Sequence, residues 1–208
     1  MTVATQTAND IMHARKSVRK YKEGVVIPRE ELLALISDAT SAPSASNLQP
    51  WRFLIIDDAE VKKELFAIAY NQEQVQTASA VIAVLADVDM YEKSADIYNQ
   101  NVEEGFMPRD VADSMITNST KTYGGLPLEV RKNLVHFDTG LISMQLMLLA
   151  KERGYDTVPM AGFDKVKFAA RFELAANEMP VLLLPIGEAA APAHGSSRLK
   201  AEQLTRFI

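Results

Sequence analysis

Cysteine is absent from all 208 residues, which rules out disulfides, thiol nucleophiles and thiolate metal sites. Histidine is scarce: His13, His136 and His194 stand far apart and show none of the spacings that ligate a metal. No metal site is expected. Long apolar runs are missing as well. The most apolar helical stretch, Leu141 to Ala150, is broken by Ser143 and Gln145 and is too short to span a bilayer. The opening MTVATQTAND lacks the basic and apolar regions of a secretory signal. The expectation is a soluble cytoplasmic protein with no membrane contact. Positive charge is not in surplus either, since 22 Lys+Arg against 27 Asp+Glu give a net charge of −5. Nucleic-acid binding, which needs a broad basic surface, is therefore not expected. No Gly-x-Gly-x-x-Gly segment occurs, so a dinucleotide-binding Rossmann unit is not expected.

What is present is ordinary for a globular chain: 48% apolar and 24% charged residues, enough to bury one core. Glycine and proline are scattered, without linker or repeat, so residues 1–208 are expected to form a single domain. Asn9–Ala14 reads as a short helix with Asn9 or Asp10 as N-cap. Residues 29–41 read as an amphipathic helix carrying Leu32, Leu33, Leu35, Ile36 and Ala39 on one face, with Pro28 near its start. The runs 51–56, 80–85 and 181–187 are almost continuously apolar, the signature of strands covered on two faces. Residues 60–68 form a helix between the first two. Asp138–Arg153 is the longest apolar helix candidate, with Gly154 as its stop. Apolar residues wrap most of its circumference, as in a helix buried on every side, either centrally or against a second subunit. Residues 88–132, with Tyr91, Tyr98, Phe106 and Tyr123 among charges, read as a helical excursion. The alternation predicts a sheet with helices on both faces.

Several segments could carry chemistry. Arg15-Lys16-Ser17-Val18-Arg19 packs three cations and a hydroxyl into five residues. In extended backbone Arg15, Ser17 and Arg19 would project to one side, an arrangement that suits phosphate oxygens. A solvated basic turn is the plainer reading, though Ile11, Met12, Val18 and Tyr21 suggest a segment pinned to a core. The loop Ala42–Pro50, with Pro43, Ser44, Ser46 and Asn47, is small and polar and runs into a strand. It is either a plain connection or a surface that approaches a flat ligand. Asn71 and Gln74, three apart, would share a helix face and offer mixed donors and acceptors to a heterocycle, while an exposed polar turn accounts for them equally. In Pro159–Asp164, Gly162 would let backbone come close to a ligand, while an ordinary turn with Asp164 as N-cap accounts for the same residues. Ser196 and Arg198 could add an anion contact late in the chain.

The order of these motifs (Arg-x-Ser-x-Arg, Pro-Ser-x-x-Asn-x-Gln-Pro-Trp, Asn-x-x-Gln, Gly-Phe, a strand and a late arginine) resembles the FMN-dependent nitroreductase family over nearly the whole chain, in particular the short bacterial NAD(P)H nitroreductases. The resemblance implies an α+β, three-layer fold with a central mixed sheet between helices, in an intertwined homodimer with FMN at the subunit interface. It implies that Arg15, Lys16 and Ser17 hold the FMN phosphate and ribityl chain, with Arg19 beside the pyrimidine ring. Asn71 and Gln74 would bond the polar edge of the flavin. Pro43, Ser44, Ser46 and Asn47 would come from the partner subunit, and Met160, Ala161 and Gly162 would face N5. Ser196 and Arg198 would close over the phosphate, and Phe106 and Tyr123 would wall the substrate side. No protein acid or base is implied; Arg19 and Gln74 would stabilise charge developing on the flavin. The implied activity is ping-pong hydride transfer from NAD(P)H to a nitroaromatic, quinone or similar small acceptor. Where some family members carry an acidic residue beside N5, this chain has Ala161. A dehalogenase or desaturase of the same family, and a non-catalytic FMN storage or sensing protein, are the alternatives.

Overall fold

The computed structural model describes residues 7–208. The first six residues of the stretch read above for a signal lie outside the described residues. The chain runs α1 (Ala8–Ala14), α2 (Arg29–Ala39), β1 (Trp51–Ile56), α3 (Ala59–Ile68), α4 (Glu73–Thr77), β2 (Ala80–Asp87), α5 (Ser94–Glu103), α6 (Arg109–Gly124), α7 (Leu128–Glu152), β3 (Asp156–Thr157), α8 (Lys165–Arg171), β4 (Glu178–Gly187) and α9 (Ala201–Leu204).

The strands form one sheet in the order β1-β2-β4-β3. All three pairings are antiparallel, with Phe53 opposite Val84 and Ile82 opposite Leu184. The parallel component expected of a mixed sheet is confined, among the described residues, to the bridge between Ser17 and Thr157. Side chains alternate across the strands, and the two faces bury against different helices. Ala80, Ile82, Leu184 and Ile186 pack with Leu32, Leu35 and Ala39 of α2 and with Ile142, Leu146 and Ala150 of α7. Val81, Ala83, Leu85 and Leu183 pack with Leu65 of α3, its C-cap Ala69, Val75 of α4 and Phe168 of α8. The fold is α+β in three layers. The apolar runs are continuous because both faces of the sheet are covered.

Some local expectations shift by a residue or a turn. The N-cap of α1 is Thr7, one turn earlier than Asp10. Thr7 Oγ1 accepts from the Asp10 N–H at 3.2 Å, and Asp10 Oδ2 accepts from the Thr7 N–H at 2.9 Å. This reciprocal pair satisfies two end groups that Asn9 could not reach together. Leu33 of α2 faces solvent, because Leu32, Leu35 and Ala39 already fill the stripe that meets the sheet. Helix α7 begins at Leu128, ten residues before Asp138. Its first turns carry Glu129, Arg131 and Lys132 and so hide the apolar period. One face of α7 is buried, along Val135, Asp138, Thr139, Ile142, Leu146 and Ala150, whereas Phe137 and Met144 lie exposed. The helix therefore has an uncovered side within a single chain. Gly154, at φ 87°, follows its C-cap and stops it.

Residues 88–132 pack over one end of the sheet. Tyr98 of α5, Ala112 of α6 and Val135 of α7 join Leu48, Ala86, Val88 and Met90 in a separate apolar cluster. Asp87, at the end of β2, anchors this corner. It accepts from Arg52 Nη2 at 2.8 Å, Asn177 Nδ2 at 2.7 Å and the Asp89 N–H at 3.0 Å. No helix among the described residues is long and apolar enough to cross a membrane.

Candidate functional site

Residues 15–22 are extended and tied to the sheet through backbone. Val18 N donates to Thr157 O at 3.1 Å, Lys22 N to Glu188 O at 2.9 Å and Ala190 N to Lys20 O at 2.9 Å. Val18 and Tyr21 point inward against Ala78 and the Ala189–Ala193 stretch. The Tyr21 hydroxyl donates to Pro185 O at 3.0 Å, and burial pushes its proton affinity up. Beneath them the buried Lys62 donates from Nζ to Ala78 O at 2.5 Å, and its desolvation lowers its proton affinity. With Val18 and Tyr21 committed to the core, the polar residues between them are left on the outer side.

The chain after β4 folds back over this basic strand. A cavity of about 350 Å³ is lined by Arg15, Lys16, Ser17 and Arg19 together with His194, Gly195, Ser196 and Arg198. Arg198 Nη1 donates to Ser196 Oγ at 2.7 Å and to Ser197 O at 2.8 Å, which fixes its guanidinium at the rim. A second cavity, of about 450 Å³, shares Ser17, Arg19 and His194 and adds Lys20, Glu73, Gln74 and Ala191–Ala193. Among the described residues none of Arg15, Lys16, Arg19 or Arg198 pairs with a carboxylate. Four cations thus converge on one cavity without a carboxylate partner, an arrangement with the charge to hold an anion.

The structure joins Gln74 to the Met160–Gly162 turn. Gln74 Nε2 approaches Met160 Sδ at 3.4 Å and donates to Gln72 Oε1 at 3.0 Å, while Gln72 Nε2 donates to Gly162 O at 2.8 Å. Met160 exchanges backbone bonds with Leu183 at 2.8 and 2.9 Å, and Ala161 and Gly162 stay exposed. A Cβ at Gly162 would meet nothing closer than Gln72 Nε2 at 3.9 Å, so the turn leaves an open approach. Asp164 caps α8, as its position predicts, by accepting from the Lys167 N–H at 3.0 Å. Asn71 corrects the expected pairing: it has φ 57° and precedes α4, so it shares no helix face with the buried Gln74. The helix there is only five residues long and starts after Asn71, which sits in the turn that closes α3.

The loop with Pro43, Ser44, Ser46 and Asn47 lines neither cavity. It is strained and tightly held. Ser46, Asn47 and Gln49 have φ of 48°, 51° and 46°, each costing roughly 1–3 kcal/mol in a residue other than glycine. Ser44 Oγ accepts from the Gln49 N–H at 3.0 Å, and Arg52 Nη1 donates to Gln49 O at 3.0 Å. Asp138 Oδ2 accepts from the Ala45 N–H at 3.0 Å, Tyr98 Oη donates to Ser46 O at 2.7 Å, and Ser46 Oγ lies 2.8 Å from Tyr123 Oη. Tyr123 is half-buried beside this loop, and Phe106 stands exposed between α5 and α6. Motif reading misses His194, Lys20, Glu73, Gln72, Asp138 and Tyr98. His194 lies two residues from Ser196 and could be inferred from that proximity, but Tyr98 and Asp138 are distant in sequence from the loop they hold.

Residues 12–188 match the sequence profile described as the nitroreductase family. The chain is 42% identical over 207 residues to YdgI of Bacillus subtilis, provisionally named an NAD(P)H nitroreductase, covering 99% of each chain. It is 31% identical over 202 residues to the CLA biosynthesis enone reductase of Lactiplantibacillus plantarum, covering 96% of this chain and 93% of that one. Among solved structures, a protein of Exiguobacterium sibiricum, provisionally named a nitroreductase and crystallised with FMN, superposes with a TM-score of 0.94 at 38% identity over 100% of both chains.

Asp138 supplies a test of the loop's anchorage. Its buried carboxyl has its proton affinity raised by desolvation, partly offset by the Ala45 N–H. A raised folded-state value gives a stability share that is full below the ordinary carboxylate value of about 4 and is lost as pH rises through the raised one. Asp138→Asn keeps an acceptor and removes the charge. Its melting temperature relative to the wild type is expected to rise between about pH 4 and pH 7, as measured by thermal denaturation across that range. A difference that is flat with pH would remove this account of Asp138.

Proposed function

The chain belongs to the nitroreductase family, and on that premise we propose that it is an NAD(P)H-dependent FMN oxidoreductase reducing nitroaromatic, quinone or related small acceptors. The observation that carries this reading is the cluster of Arg15, Lys16, Arg19 and Arg198, all unpaired with carboxylates, around a single cavity. A flavin nucleotide fits the residues present. Its phosphate needs concentrated positive charge and hydroxyl donors, which the four cations, Ser17 and Ser196 offer. Its ring edge needs both donors and acceptors, which Gln74 offers in the adjoining cavity. The two cavities, about 350 and 450 Å³, lie in the size range of about 300–1,000 Å³ usual for ligand sites.

In this reading Arg15, Lys16, Ser17, Ser196 and Arg198 bind the phosphate end, and Arg19 and Gln74 take the pyrimidine side, where they stabilise negative charge as it develops. Asn71 reaches the polar edge from the turn and not from the helix of Gln74. The Met160–Gly162 turn leaves the approach to N5 open. Bound FMN supplies the redox chemistry, a hydride accepted from NAD(P)H and passed to the acceptor in alternate, ping-pong half-reactions. The protein's part is orientation and charge. With such a donor, the cytoplasm is the expected location.

The loop with Pro43, Ser44, Ser46 and Asn47 lines neither cavity of its own chain. In this reading it serves the FMN of a partner subunit, with Phe106 and Tyr123 on the acceptor side. The uncovered apolar groups support a homodimer: Phe137 and Met144 on α7, and Leu204, Phe207 and Ile208 at the C-terminal end, are all exposed. Light scattering is expected to give twice the mass of the chain; a monomeric holoprotein would remove the partner-loop assignment.

Visible spectra of the purified protein with FMN, recorded anaerobically before and after adding NADPH and then NADH, test the activity. Bleaching identifies a flavin oxidoreductase and its preferred donor, whereas a bound flavin that stays oxidised identifies a storage or sensing protein. Re-oxidation by a quinone, a nitroaromatic compound and a conjugated enone then ranks acceptors, the enone being included for the L. plantarum relative. One steeply preferred compound would favour a specialised enzyme. Arg15→Ala and Arg198→Ala are each expected to weaken FMN binding by roughly 1.5–3 kcal/mol, the value of a charged hydrogen bond. Unchanged affinity in both, by fluorescence titration, would remove the phosphate assignment.

A further inference from the structure

Three left-handed residues in four make the loop before β1 a conformation the chain would not hold alone. Two of the contacts that hold it come from tyrosines of the excursion, and both converge on Ser46. Tyr98 of α5 is fully buried and donates to the Ser46 carbonyl at 2.7 Å, from a ring packed in the cluster that caps the sheet. Tyr123 of α6 meets the Ser46 side chain, oxygen to oxygen, at 2.8 Å. One tyrosine therefore fixes the backbone of Ser46 and the other fixes the rotation of its hydroxyl.

In a hydroxyl–hydroxyl pair one O–H donates and the other stays free. If Tyr123 donates, the proton of Ser46 is turned outward; if Ser46 donates, that of Tyr123 is. The pair thus presents one O–H to the outside, with a direction set by the partner oxygen. A phenylalanine at 123 would keep the ring packing and lose only that control.

We propose that Tyr98 and Tyr123 are positioning residues, which orient Ser46 as a hydrogen-bond donor to the flavin of the partner subunit and lock the cofactor loop to the helices on the acceptor side. This rests on the flavin reading above. Reshaping of α5 or α6 by an acceptor would be felt at the cofactor through Ser46.

A double-mutant cycle on FMN affinity, with Tyr123→Phe and Ser46→Ala in the holoenzyme background, tests this. Tyr123→Phe is expected to weaken FMN binding about three- to tenfold. In the Ser46→Ala background it is expected to change affinity by less than about twofold, because its target is gone. Tyr98→Phe acts on the backbone, so its effect should persist with alanine at 46. Amide hydrogen exchange at Ser44–Gln49 reads the loop itself and should quicken in Tyr98→Phe. A merely structural role would lower the melting temperature of Tyr123→Phe and leave its effects on affinity additive. Additive effects, or no effect of Tyr123→Phe on FMN affinity, overturn the proposal while leaving the flavin reading intact. A wild-type protein that takes up no FMN overturns both.

Discussion

The pairing of residues 17–22 with the end of the sheet is the constraint on which the site depends. Three backbone hydrogen bonds, to Thr157, Glu188 and Ala190, hold that strand in place, and two inward side chains, Val18 and Tyr21, anchor it. Exposed arginines and lysines ordinarily spread away from one another, because like charges repel and water solvates each separately. Here the backbone removes that choice. Once Val18 is buried, Arg15, Ser17 and Arg19 are committed to the other side, and the segment after β4 brings Arg198 to the same cavity. The cluster concentrates positive charge in one place within a chain of net charge −5.

The loop before β1 follows a different logic. Its strain is local, and its supports come from afar: Asp138 of α7, Tyr98 of α5, Tyr123 of α6 and Arg52 of β1. Strained backbone persists only where its surroundings over-determine it, and these four side chains do so from four elements. Asp87 extends the same scaffold, since it receives the Arg52 guanidinium and joins the start of the excursion to the start of β4 through Asp89 and Asn177. Cation cluster and loop are built separately within one chain, and the loop lines neither cavity beside the cluster.

Much of this was legible in the residues. The runs 51–56, 80–85 and 181–187 announce three strands, which extend to Asp87 and begin at Glu178, because both faces of the sheet are covered. Asp164 signals its helix start by its own side-chain chemistry. Arg15 to Arg19 and Ser196 to Arg198 stood out as ionic motifs and proved to line one cavity. Other features left little trace. The first ten residues of α7 carry charges that mask its period, and the capping pair of α1 uses a threonine one turn ahead of the expected cap. Asn71 and Gln74 look like helix neighbours by spacing, yet a left-handed residue ends the geometry that the spacing assumes. The direction of the strands could not be read, since an apolar run is the same whichever way its neighbour runs.

The sequence by itself determined the chemical inventory: no thiol, no metal-ligand spacing, a basic segment early, a second arginine late, and a family resemblance over nearly the whole chain. Each is a property of residue type and order, and survives without coordinates. Only the tertiary structure decided which of those residues meet. Residues 15–19 and 194–198 come together because the segment after β4 pairs antiparallel with residues 20–22, through the Tyr21–Ala189 bridge. The hold of Tyr98, Tyr123 and Asp138 on the loop exists because α5, α6 and α7 stack against the end of the sheet. Contacts between residues so far apart are selected by packing, a property of the whole chain that no local pattern encodes.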